Sequence, residues 1–153
     1  MLETPHVILG ATIASKITNP LISLPLVFLS HLLLDYIPHW NPNLGKEMRK
    51  LGKISRPSKL IILGDVILSL VVGFGIASRA WPSWEKAAVI IAASFLAVVV
   101  DVIEGFYYFL GVKHSFLLKL IKFQHRYQQK LPLGPGLLTQ IVTILLSLYI
   151  LRS

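Results

Sequence analysis

From Leu133 to Leu151 the chain runs nineteen residues without a charged side chain, and from Leu60 to Ser78 it carries one, Asp65. A transmembrane helix needs about 20 predominantly apolar residues, so these runs restrict the fold more than any other feature. Only 14% of the 153 residues are charged and 54% are hydrophobic, against about 25% charged in an ordinary soluble domain. A mean hydropathy of +0.69 agrees. The expected fold class is all-α: a single integral membrane helical bundle over residues 1–153, with four to five transmembrane helices and one amphipathic surface helix.

There is no cysteine, which excludes disulfide frameworks, Cys-based zinc sites, iron–sulfur clusters and thiol nucleophiles. Chemistry must come from His, Asp, Glu or hydroxyls. Fifteen Lys and Arg against seven Asp and Glu give a formal charge of +8. Positive loops are normal in membrane proteins, so no nucleic-acid partner is expected. The opening Met1-Leu2-Glu3-Thr4-Pro5-His6 has no basic n-region, and the first apolar segment is expected to remain in the mature protein.

The apolar segments fall at 6–17, 21–39, 60–78, 86–111 and 133–151. Thr18-Asn19-Pro20 separates the first two, and twelve residues are short for a full span. Residues 44–59 form a basic loop with room for a short surface helix, carrying Lys46, Arg49, Lys50, Lys53, Arg56 and Lys59, and residues 112–131, with Lys113, Lys119, Lys122, Arg126 and Lys130, suit an amphipathic surface helix. Both basic stretches are expected at anionic headgroups on the cytoplasmic side of the inner membrane. The Trp81–Trp84 turn then faces outward and the N-terminus inward.

Asp35, Asp65, Asp101 and Glu104 lie within apolar segments, where a central charge costs about 2.5–3.5 kcal/mol on insertion scales. In Ser30-His31-Leu32-Leu33-Leu34-Asp35-Tyr36-Ile37-Pro38-His39, His31 and Asp35 share one helix face, which His39 continues if the helix persists past Pro38. Two imidazoles flanking a carboxylate suit zinc, iron or manganese. A polar cluster sealing the bundle is the bland alternative. Asp101 and Glu104, three residues apart, form a second carboxylate pair. Asp65 falls about 8 Å and Asp101 about 15 Å from the cytoplasmic ends of straight helices, the latter near mid-membrane. Every histidine and every intramembrane acid except Asp101 thus falls in one leaflet, implying a polar cavity open to the cytoplasm with one or two metal ions. His125 and Arg126 are candidate ligand and phosphate clamp, Gln140 a candidate helix-bridging amide, and His114 a solvated interfacial residue.

Pro5-His6-Val7-Ile8-Leu9-Gly10-Ala11 and Leu29-Ser30-His31-Leu32-Leu33-Leu34-Asp35 resemble the N-terminal His motif and the L-S-H-x-x-x-D motif of the inner-membrane metal-dependent hydrolase family, over about a quarter of the chain. The family's usual H-R-G-x-T-H-S segment is missing here, with His39 or His125-Arg126 as candidates for its place. The resemblance implies that His6, His31 and Asp35 are metal ligands and that the substrate is a phosphoester or lipid-like molecule.

The leading expectation is a hydrolase of a phosphate or acyl ester of a lipid at the cytoplasmic face. His6, His31, Asp35 and His39 hold a divalent metal ion, zinc first. Asp65, Glu104 and Asp101 are the candidate catalytic carboxylates, with Asp65 or Glu104 as further ligand or general base. A proton- or cation-coupled transporter using Asp65, Asp101 and Glu104 is the second expectation, and a non-catalytic membrane scaffold the third.

Overall fold

The computed structural model describes all 153 residues. It has eight α-helices and no strand: α1 (Glu3–Lys16), α2 (Pro20–Tyr36), α3 (Leu44–Leu51), α4 (Arg56–Ser78), α5 (Trp84–Leu96), α6 (Val99–Leu110), α7 (Ser115–Tyr127) and α8 (Leu133–Arg152). Local chemistry sets most of the boundaries. Asn19 caps α2 by accepting from Leu21 N, with Pro20 in the first turn, where its missing donor costs nothing. Ser55 caps α4 and Ser83 caps α5 in the same way. Gly52 and Gly111 end α3 and α6 in the left-handed conformation, which glycine adopts without a Cβ penalty.

The short α1 is the axis of the bundle. It packs against α2, α4, α5 and α8, and most of it from Thr4 to Ala14 is buried. Fourteen residues rise only about 21 Å, less than the ~30 Å hydrocarbon core, so α1 is caged by its four neighbours and is too short to span on its own. Small residues make the close approach possible: a Cβ on Gly10 would lie 2.8 Å from the Ala97 Cβ and 3.2 Å from the Ala93 carbonyl oxygen. The core of this half joins Ala11 and Ala14 to Val27, Ile76, Ile90, Ala93 and Ala97.

The bundle is apolar outside and comparatively polar inside. Leu63, Leu70 and Phe74 of α4 and Leu138, Leu145 and Tyr149 of α8 are exposed, while His6, His31, Asp35, His39, Gln124 and Gln140 are buried. An apolar exterior of this extent needs a lipid or protein cover. Helices α4 and α8 are each long and apolar enough to cross a membrane, and α5 with α6 makes a third candidate span bent by 48°.

By length and composition alone, two or three elements qualify as spans. Elsewhere the structure revises the reading from sequence. The segment 86–111 is not one helix: it breaks at Ala97–Val98, where Val98-Val99-Val100 is a β-branched run with restricted χ1 freedom and the Ala97 carbonyl is turned to His31. The basic stretch 44–59 is largely helical, containing α3 and the start of α4. Glu47 joins the two by accepting from Ser55 N at 2.8 Å and from Ser58 Oγ at 2.6 Å, and these bonds hold its carboxyl below the ordinary range. Finally, the surface helix α7 lays Leu117, Ile121 and Gln124 inward and packs on α6 and α2, so protein covers its inner face.

Candidate metal centre

The site forms where the first turns of α1, the end of α2, the start of α6 and the end of α7 converge. On α2, His31 and Asp35 stand one turn apart and both are buried. The helix ends at Tyr36 ahead of Pro38, so His39 does not continue the helical face. It returns by another route. The extended backbone at His39 pairs with the segment after α7, donating to the Gln129 carbonyl at 3.1 Å and accepting from Leu131 N at 2.9 Å. That pairing leaves His39 Nε2 4.0 Å from Asp35 Oδ1. From α1, His6 places Nε2 3.3 Å from the same oxygen and its ring centroid 4.5 Å from that of His31.

Asp35 is the hub. His31 Nε2 lies 3.7 Å from its Oδ2, the same oxygen accepts from Gln124 Nε2 at 2.9 Å and Gln128 Nε2 at 3.0 Å, and the α-amino group of Met1 donates to Oδ1. Gln124 Nε2 also donates to Asp101 Oδ1 at 2.8 Å. One amide thus holds carboxylates from two helices, and Gln124 with Gln128, the residue that caps α7, closes the site at that end.

The imidazoles are oriented as ligands are. His31 Nδ1 is 2.8 Å from the Ala97 carbonyl and His39 Nδ1 is 2.7 Å from the Ile37 carbonyl. A carbonyl only accepts, so each Nδ1 carries the proton and each Nε2 is left with a lone pair. A backbone carbonyl behind the imidazole is a common way to fix a metal-binding tautomer. His31 Nε2, His39 Nε2 and both ring nitrogens of His6 are buried with no hydrogen-bond partner, as is Asp101 Oδ2. The His6–Asp35 approach is short enough for an ion pair but lacks hydrogen-bond geometry. So many orphaned polar atoms at one point need an explanation, and a cation among His6, His31 and Asp101 would engage one atom of each. Ligand atoms of His6, His31 and Asp101 lie within 4.8 Å of one another and could hold a metal ion.

A cavity of about 300 Å³ opens beside this cluster. Its lining includes the acids Asp101, Glu104 and Glu3 together with His125, Gln128 and Lys130. Arg49 lies behind His125, both within about 3.5 Å of where a Cβ on Gly45 would stand. Partial burial by the cavity wall, then Lys130 and Arg49, push the His125 imidazole below its ordinary value. Burial likewise lowers the Lys130 ammonium, with Glu104 opposing and Arg49 reinforcing. The unfolded chain therefore binds a proton at His125 more readily than the folded one, and stability falls as pH drops through about 6.5, the ordinary histidine value. Thermal unfolding in detergent between pH 8 and 5 should show a steeper loss for the native chain than for His125→Asn.

The remaining residues named from sequence take these places. Asp101, expected near mid-membrane, instead opens α6 after the break and joins the cluster, because the bend supersedes a depth measured along a straight helix. Glu104 lines the cavity with Oε1 unpartnered. Asp65 also borders it, but its carboxylate caps α1 from another helix, accepting from Glu3 N at 2.5 Å, Thr4 N at 3.3 Å and Thr4 Oγ1 at 2.6 Å. Arg126 is exposed and is not among the cavity-lining residues. His114 is exposed and caps α7 through Nδ1. Gln140 bridges, accepting from Leu2 N at 3.0 Å and donating to the Trp40 carbonyl at 2.8 Å. Sequence reasoning missed Gln124, Gln128 and Lys130. The two glutamines at i, i+4 were visible as a signal, but nothing local links them to Asp35. Comparison with protein-family models, with curated proteins and with solved structures gives no match to this chain.

Proposed function

We propose that this chain is a membrane-embedded, metal-dependent hydrolase whose substrate is a phosphate ester of a lipid-like molecule. The observation that carries the reading is the set of three buried imidazoles around Asp35, two of them with Nδ1 on a backbone carbonyl and Nε2 unpartnered. Neutral imidazoles with carboxylates favour zinc, though iron and manganese accept the same donors. His6, His31 and His39 offer nitrogen, and Asp35 and Asp101 offer oxygen. A divalent ion at Asp35 takes the place of the Met1 ammonium. The resemblance of the His6 and L-S-H-x-x-x-D segments to the inner-membrane metal-dependent hydrolases points the same way.

A divalent ion held there supplies Lewis acidity toward an ester oxygen and makes water nucleophilic near neutral pH. The protein's own groups do the rest. Gln124 and Gln128 fix the carboxylates. Glu104, whose Oε1 is unpartnered beside the cavity, takes the proton of the attacking water. We assign this role to Glu104 rather than Asp65 because both Asp65 oxygens are already engaged at the α1 terminus. Lys130 and His125 hold the phosphate oxygens, Lys130 through its ammonium and His125 through a ring N–H, and the Lys130 charge favours a phosphate over an acyl ester.

In this reading α2, apolar over 17 residues, crosses the membrane beside α4, the bent α5–α6 pair and α8. The N-terminus and both basic stretches face the cytoplasm under the positive-inside rule. On the far side of the site, Ala11, Ala14, Val27 and Ala93 pack into a closed core, which favours one-sided chemistry over a transport path. A chelator should stop turnover of a phosphate ester presented in vesicles, and zinc should restore it. Lys130→Ala should raise KM for that ester about tenfold or more, given about 1.5–3 kcal/mol for a hydrogen bond to a charged group, with zinc content unchanged. Arg126→Ala should change neither. Equal effects of the two variants would remove Lys130 from substrate binding.

A further inference from the structure

A second cavity, of about 430 Å³, lies between α4 and α5. It shares Glu3, Val66 and Val102 with the polar cavity beside the metal centre, so the two adjoin at these residues. Their chemistry is opposite. Leu70 and Phe74 of α4 and Ile91 and Phe95 of α5 line the second one. Its hydroxyls are withdrawn into their own helices, Ser69 Oγ donating to the Val66 carbonyl and Ser94 Oγ to the Ile90 carbonyl, each at 2.8 Å. Gly73 keeps the floor low, since a Cβ there would lie 3.2 Å from Val7 and 3.3 Å from Ser94 Oγ.

From Val66 to Phe74 the α4 wall rises about 12 Å against a ~30 Å hydrocarbon core. With Asp65 about 8 Å along the span from its cytoplasmic end, the groove runs from beside the polar site across the middle of that core. Leu70 and Phe95 are 54% and 58% exposed, so it also opens sideways to the bilayer, and a lipid chain can enter without leaving the hydrocarbon. Glu3 stands at the junction.

We infer that the α4–α5 groove holds the hydrocarbon chain of an amphiphilic phosphate ester while its headgroup occupies the cavity beside His31, Asp35 and Asp101. The inference rests on the proposed metal-dependent activity for the headgroup alone. The chain site stands on the apolar lining and on the three residues at which the two cavities adjoin. It assigns substrate selectivity to chain length, because each buried CH₂ contributes about 0.8 kcal/mol.

The test uses the full chain in phosphatidylcholine nanodiscs and a long-chain alkyl phosphate bearing a diazirine near the chain terminus. Labelling is expected in the segments 69–74 and 91–95. Excess long-chain alkyl phosphate should compete it away, and phosphatidylcholine should not. Leu70→Trp or Ile91→Trp, each at a partly exposed position and each filling the groove, should cut labelling there about fivefold or more, a modest share of the chain's transfer free energy. Zinc content and binding of inorganic phosphate should be unchanged. Label spread evenly over the lipid-facing side, α8 included, or insensitivity to both tryptophans, would overturn the chain site. If the metal reading alone fails, zinc content falls to background while the groove label persists, so the two failures are separable.

Discussion

His31→Ala is expected to lower zinc affinity by about a hundredfold or more, since loss of a partner that merely orients a ligand already costs about 10–100-fold. His31 offers more than a nitrogen. Its Nδ1–H on the Ala97 carbonyl ties α2 to the break between α5 and α6, so the residue sets the position of Asp101 as well as its own Nε2. Removing it leaves His6 without its stacked ring and Asp35 without its neighbour one turn back. Gln124→Ala should lie between the native chain and His31→Ala, because it frees Asp35 and Asp101 without deleting a ligand. Competition with a fluorescent zinc chelator measures all three. Far-ultraviolet circular dichroism should be unchanged, which separates ligand loss from unfolding.

Gly10→Leu should destabilise the bundle by about 3 kcal/mol or more, at or beyond the upper end of the usual overpacking cost. The Cβ alone meets Ala97 Cβ at 2.8 Å, the Ala93 carbonyl at 3.2 Å and Val27 Cγ1 at 3.2 Å. Ala93 is on α5 and Ala97 caps its end, and the Ala93 contact is a backbone atom, so no single side chain can swing away to make room. The helix must move, and α1 carries His6 four residues earlier. The variant is therefore expected to lose stability and zinc affinity together, whereas His31→Ala loses affinity and keeps its fold. Equilibrium unfolding in mixed detergent with increasing dodecyl sulfate reads the first effect directly. A smaller loss for Gly10→Ala would follow from the same contacts.

The helices were legible because their signals are local. Asn19-Pro20, Ser55 and Ser83 mark starts and Gly52 and Gly111 mark ends, and apolar runs separate buried from watery chain. The convergence of histidines and acids at one end also followed from charge and order along the chain. What stayed hidden was set by partners distant in sequence. The bend at Ala97–Val98 is locked by a hydrogen bond from His31, 66 residues earlier, so a single apolar run read as one straight helix and displaced Asp101 in depth. His39 continues the α2 face only if the helix persists past Pro38; the helix stops at Tyr36, and His39 reaches Asp35 through backbone pairing with Gln129 and Leu131. Asp65 was read as chemistry because an acid in an apolar run is conspicuous. Its engagement with the first turn of α1 needed tertiary contact to be seen. Gln124 and Gln128 were overlooked for the opposite reason: a neutral amide in an amphipathic segment carries no penalty that attracts notice.

The central claim is that the imidazoles around Asp35 hold a metal ion. Elemental analysis of the detergent-purified chain, before and after exhaustive chelation and re-addition of zinc, tests it most directly. The expected result is about one tightly held zinc per chain with nitrogen and oxygen donors in its X-ray absorption spectrum, as a tetrahedral His and carboxylate site requires, and loss of that zinc in His31→Ala. Background metal in the native chain after zinc re-addition, or equal zinc in the native and His31→Ala chains, would contradict it.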